Sequence, residues 1–232
     1  MGSSFGIISQ TGNKIQTEGL IFYIDPAYKS SWSGPQSSDT NTLVPNSTIS
    51  GSINNDTSGS YGDNNSFAFD GTDDFIQLSD TINLGTVYSI SFWFKTTQSQ
   101  TSNGCWLSAG SGNGFTMLLL RNNKIMLYRG SATDYNYGNA SYNDGNWHNL
   151  TLTRNGTSTI TMYLDTTDVT EGSAYGSGNL DTQLTFIGDD GGTWGSAVPY
   201  NGQLGPITFY NRALSASDVL QNYQAQKGRF GL

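Results

Sequence analysis

Ser89-Ile90-Ser91-Phe92-Trp93-Phe94-Lys95 alternates without a break, with Ile90, Phe92 and Phe94 on one side and Ser89, Ser91, Trp93 and Lys95 on the other. A period of two residues belongs to a strand with one face against a core. The same period recurs outward in both directions. Leu150 and Leu152 alternate with Thr151 and Thr153, Asn155-Gly156 follows, and Ile160, Met162 and Leu164 resume the pattern. Asn-Gly between alternating runs signals a hairpin. Phe115, Met117 and Leu119, then Asn122-Asn123, then Ile125 and Leu127 make a second hairpin. Further strands are expected at Leu20–Ile24, Ser66–Phe69, Phe75–Leu78, Leu184–Ile187 and Ile207–Tyr210, with Ser33–Ser66 a surface loop holding one or two weak strands. Many short strands divided by turn residues specify a sandwich or barrel.

The parity within each strand places Ile90, Phe92, Phe94, Leu150, Leu152, Ile160, Met162, Phe186 and Phe209 inside and Trp93 outside. Only the end reads as helical. Ser215 and Asp218 form a capping box with Asp in the place of Glu, ahead of a helix over Ala216–Gln226. Val219, Leu220 and Tyr223 share one face of it, and Gly228 offers the stop.

Composition narrows the function classes. The 232 residues are 35% hydrophobic and 12% charged, yet include 5 Trp, 13 Tyr and 11 Phe, which a disordered chain would lack. The net charge of −8 comes from 10 Lys plus Arg against 18 Asp plus Glu, with no basic stripe, so phosphate-backbone binding is not expected. No run approaches 18 apolar residues, and the dense stretch Met117-Leu118-Leu119-Leu120 is strand-sized, so no membrane insertion is expected. Cys105 is alone, which excludes an internal disulfide and a Cys-based zinc site. Met1-Gly2-Ser3-Ser4-Phe5-Gly6 carries neither the basic nor the apolar part of a secretory signal.

Six segments in order carry a resemblance: Gly19–Asp25, Phe67–Ile76, Tyr88–Lys95, Asp144–Leu150, Met162–Asp165 and Gly205–Ser215. Together they resemble the laminin G-like, concanavalin A-like jelly roll over roughly residues 19–226. The resemblance implies an all-β, two-sheet antiparallel sandwich with a short C-terminal helix. Residues 1–18 would be an N-terminal arm and 227–232 a tail. Asp165-Thr166 departs from the Asp-Gly that many relatives carry in that turn. The opening segment, and the close from Asn211-Arg212-Ala213-Leu214-Ser215 through Phe230, resemble a subgroup found in virion structural proteins of tailed phages, cyanophages included.

That resemblance implies a non-enzymatic structural or adhesion protein of the particle, in the head decoration, neck, tail or fibre. It would be present in many copies or as a homo-oligomer, touch other virion proteins and host polysaccharide, and be exposed after lysis. A free carbohydrate-binding lectin is the alternative, and a glycoside hydrolase the third reading. Glycosidases work with two facing carboxylates, commonly Glu on one strand. Here the Glu residues are Glu18 and Glu171, far apart, and no strand carries two inward-facing Asp. His148, the sole imidazole, has no Gly-x-Ser-x-Gly elbow to serve. The resemblance implies that Trp147-His148 opens a strand, where the ring packs or bonds locally. Cys105 beside Trp106 reads as a small core residue.

No cofactor is required. Calcium would take Asp70, Asp73, Asp74, Asp189 and Asp190, since hard cations choose oxygen ligands. The same residues equally make plain turns, Asp70-Gly71-Thr72-Asp73-Asp74 and Asp189-Asp190-Gly191-Gly192. Tyr135, Tyr137 and Tyr142 in a polar loop, with Trp32 and Trp194 among Gly and Ser, are the candidates for glycan or partner contact, against simple packing.

Overall fold

A computed structural model describes residues 14–27, 47–50, 63–72, 74–98, 104–109, 116–121, 124–129, 132–137, 142–156, 159–171, 182–190 and 198–232. The strands are β1 (Leu20–Ile24), β2 (Ser47–Ser50), β3 (Phe67–Asp70), β4 (Phe75–Gly85), β5 (Val87–Lys95), β6 (Gly104–Ser108) and β7 (Thr116–Arg121). They continue as β8 (Lys124–Arg129), β9 (Ala132–Tyr137), β10 (Trp147–Asn155), β11 (Thr159–Leu164), β12 (Thr167–Asp168), β13 (Thr182–Ile187) and β14 (Asn201–Tyr210). The helix α1 (Ala216–Gln226) and the 3-10 turns Asp63–Asn65 and Lys227–Phe230 complete the elements.

The strands form two antiparallel seven-stranded sheets. One runs β1-β14-β5-β10-β11-β12, with β3 also on β14; the other runs β2-β4-β13-β6-β7-β8-β9. Both expected hairpins are present, β10 on β11 and β7 on β8. Between the sheets lies one core. Phe92, Phe94, Leu150, Leu152, Met162 and Phe209 face Ile76, Leu118, Ile125, Leu127 and Ile187 across it. Trp106 fills its centre, edge-on to Phe92 at 5.4 Å and tilted against Phe94 at 4.8 Å. Ser33–Ser66 contributes β2, the Asp63–Asn65 turn and the buried Ser66; its remainder lies outside the described residues.

Two parity assignments are corrected. Phe92 is inside at 1% exposure, but Trp93 is buried too, at 0%. The reason is a second layer that one strand's alternation cannot reveal. Trp93 stacks on Phe230 at 4.4 Å and on Tyr223 at 5.3 Å, and its indole N–H donates to Gln226 Oε1. Phe186 is only half-buried and packs on Phe75, because a bulge between Leu184 and Phe186 resets the face. Ile160 keeps the inward phase, in line with Met162 and Leu164, and packs at the margin of the core.

The capping box closes as expected: Ser215 Oγ accepts from the Asp218 amide at 3.2 Å, and Asp218 Oδ2 accepts from the Ser215 amide at 2.9 Å. The helix buries Val219, Asn222 and Ala225, whereas Leu220 is 44% exposed. Gly228 does not stop the chain, which continues as a 3-10 turn to Gly231 at φ 78. Of the residues expected as arm and tail, the described ones, 14–18 and 227–232, pack onto the rest of the fold. Ile15 joins Tyr23 and Ala225, and Gln16 N donates to Asn222 Oδ1 at 2.7 Å.

The two-residue turn between β11 and β12 holds Asp165 at φ 47 and Thr166 at φ 76. A primed hairpin turn requires both values positive, and the second costs a β-branched residue dearly. Thr166→Gly should therefore raise stability by about 1 kcal/mol, after allowing for the chain entropy of glycine. A lower urea midpoint for the variant would refute the strain.

Candidate functional site

At one end of the sandwich β3, β5 and β13 finish while β4, β6, β10 and β14 begin. The connections there are tied through Gln98. Its Oε1 accepts from Asn201 N at 3.2 Å, and its Nε2 donates to Pro199 O at 3.1 Å. Its backbone carbonyl accepts from Asn143 Nδ2 at 2.9 Å. Thr96 Oγ1 donates to Asn201 O at 2.6 Å, and Asn201 Nδ2 donates to Asp70 O at 2.8 Å. Four separate connections thus share one network of amides and hydroxyls at this rim. None of Gln98, Asn143 or Asn201 belongs to a motif, so a single sequence offers no signal for them.

The acidic turns converge on the same rim. Tyr200 N donates to Gly188 O at 2.8 Å, which places Asp189 and Asp190 beside the segment leading to Asn201. Asp70, Asp74, Asp189 and Asp190 are thereby brought to one end; Asp73 lies outside the described residues. One oxygen each of Asp70, Asp74 and Asp189 serves the backbone. Asp74 Oδ2 accepts from Asp70 N at 2.9 Å, and Asp70 Oδ1 from Thr72 N at 2.7 Å. Asp189 Oδ1 accepts from Asp190 N at 2.7 Å and Val198 N at 3.1 Å. Burial, with the Asp190 charge adding, raises the Asp189 carboxyl above its ordinary value against these bonds. Among the described residues no three acidic, His or Cys side chains converge as ligands. Calcium asks for about six to eight oxygens, and the donor set among the described residues does not fit it. A chelator, or millimolar calcium, is expected to leave the melting temperature unchanged. A fall with chelator would restore the cation reading.

His148 opens β10 with both ring nitrogens engaged. Nδ1 meets Asp165 Oδ2 at 2.7 Å and Nε2 meets Asp144 Oδ1 at 3.2 Å. The Asp165 bond, opposed by burial and joined by Asp144, lifts the imidazole above 6.5. Burial works against ionisation of Asp144, but bonds from Asn146 and His148 prevail and hold it below 3.8. A ring committed on both sides offers no base to a nucleophile. Burial pushes the Cys105 thiol well above 9.0, with Asp190 and Asp189 adding, so no thiolate is available there.

The aromatic candidates divide. Tyr135 and Tyr137 lie on β9, registered opposite Leu127 and Ile125, and so belong to a strand where a loop was expected. Tyr142 is 2% exposed and edge-on to His148, and packs in the core. Trp32 and Trp194 lie outside the described residues.

The sequence model described as the concanavalin A-like lectin/glucanases superfamily matches residues 70–220. The chain belongs to that superfamily. No curated protein sequence matches it significantly. Among solved structures it is similar to domain 4 of AbnA, a GH43 extracellular arabinanase from Geobacillus stearothermophilus, in complex with arabinotriose. The TM-score is 0.65 at 18% identity, over 91% of this chain and 100% of that one. Trypanosoma rangeli sialidase in complex with sialic acid gives a TM-score of 0.64 at 14% identity, over 94% of this chain and 35% of that one. The botulinum neurotoxin serotype D binding domain gives 0.59 at 18% identity, over 90% and 51%. The chain thus spans about a third of the sialidase and half of the toxin domain. At these identities the likeness is one of fold.

Proposed function

We propose that the chain is a non-catalytic binding and structural module of a tailed-phage particle, working through its rim. The observation that carries the binding reading is the Gln98 network, which fixes side-chain amides and a hydroxyl from three connections, and ties in a fourth through a backbone carbonyl, beside the acidic turns. Groups held in place before a partner arrives lose little freedom on binding. Superfamily membership supports the reading, as does similarity to an arabinanase domain solved with arabinotriose. The virion assignment rests on the phage-like opening and closing segments.

Catalysis is disfavoured by where the carboxylates stand. Glu171 pairs with Lys124 at 3.7 Å, while Glu18 lies at the entry to β1, where its carbonyl accepts from Arg212. Among the described residues neither is grouped with a second carboxylate of the kind that bond cleavage in a glycan needs. Mass spectrometry of purified particles tests the virion role; absence of the chain would overturn it. A glycan array tests the rim. Binding to host envelope polysaccharide that is lost in Asn201→Ala supports sugar contact, and no binding leaves protein contact.

A further inference from the structure

We propose that His148 is a proton-dependent clasp joining the Asp144–Asn146 turn at the rim to the Asp165-Thr166 turn, so that both loosen together when the imidazole loses its proton. The two carboxylates come from different connections, the segment before β10 and the β11–β12 turn, and meet on opposite sides of one ring. A protonated imidazole carries two N–H donors, a neutral one a single donor. Deprotonation therefore leaves one carboxylate without its bond and strips the charge that strengthened the bond to the other. No Lys or Arg pairs with Asp144 or Asp165 among the described residues, so the ring holds the cationic charge between them.

The groups facing the ring are these two carboxylates, Phe94 of β5 at 5.7 Å and Tyr142 at 6.4 Å. Beyond Asp165 stands Tyr223 of α1, raised by burial and by that carboxylate. Both turns have something to lose. Gly145 N reaches Thr96 O at 3.0 Å, linking its turn to the Gln98 network, and Asn146 N reaches Asp144 Oδ1 at 2.8 Å. Asp165 Oδ1 accepts from Asn149 N at 2.8 Å while holding the positive-φ turn. The sign follows from the raised imidazole: its contribution is complete below 6.5 and disappears as pH climbs through the folded value.

The chain has a single histidine, so proton NMR reports its titration without ambiguity. Amide exchange, corrected for intrinsic rate, should show protection at Gly145, Asn146 and Asp165 falling roughly tenfold or more across that titration, as for one lost charge-assisted bond. In His148→Gln the step should vanish. In Asp144→Asn the step at Gly145 and Asn146 should vanish and that at Asp165 remain, which decides the matter if the glutamine variant does not fold. Protection that stays flat while His148 titrates would overturn the clasp, as would a step that persists in His148→Gln. Neither readout needs a ligand at the rim, so failure here leaves the binding reading standing, and the reverse holds.

Discussion

Phe230→Ala should lower the free energy of unfolding by about 3 kcal/mol, the low end of the range for deleting a buried aromatic ring. Phe230 is 7% exposed and stacks on Trp93 at 4.4 Å and against Trp147 at 4.5 Å. Gly205 opens the floor beneath it: a Cβ there would lie 2.8 Å from the Phe230 ring and 2.9 Å from Trp93 Cβ. Nothing else described fills that space if the ring is removed, so a cavity and exposed indole faces remain. Urea unfolding followed by tryptophan fluorescence measures the loss. A cost under about 1 kcal/mol would mean that the last turn contributes little to the fold.

Arg229→Met is expected to cost a similar amount for an electrostatic reason. Arg229 Nη1 meets Asp25 Oδ1 at 2.7 Å, and its Nε and Nη2 donate to Asn64 O and Asn65 O, each at 2.8 Å. The Asp25 side chain is only 2% exposed, so losing the guanidinium leaves a carboxylate buried without its cation. Breaking such a pair costs roughly 3–5 kcal/mol. Tyr23 O–H and Ala27 N still donate to Asp25, which argues for the lower value. Replacing Asp25 with Asn in the Arg229→Met background should recover part of the loss. Because Arg229 and Phe230 anchor one segment, their combined effect should fall short of the sum. Full additivity would show two independent anchors.

Much of the architecture was legible because a sheet writes its faces into alternate residues. Ile90, Phe92 and Phe94 are inside as the period requires, both hairpins form, and the capping box places the helix. The misreadings share a cause: alternation reports one strand against one neighbour. It could not register that the chain's final turns cover Trp93. Nor could it show that a bulge turns Phe186 out of phase. The rim was half legible. The Asp-Gly and Asp-Asp turns marked where the connections bend, but their carboxylates proved to be hydrogen-bonded to backbone. Gln98, Asn143 and Asn201 matter through partners distant in sequence, and amides in loops carry no periodicity to betray them. His148 bonds locally, as its place at the start of β10 led one to expect.

The dependence of four rim connections on Gln98 has an evolutionary consequence. A connection whose length or shape changes by itself would strand a partner in the others, because Asn143, Pro199 and Asn201 each satisfy the same residue. Inherited change at this end should therefore be concerted at the network positions. It should be permissive at connection positions that make no bond to the network. In a lineage under pressure to meet altered partners, those positions would diversify while the knot stays the same. Grafts of foreign loops onto this fold should then succeed when their ends keep the bonds to Gln98, and fail when they replace them.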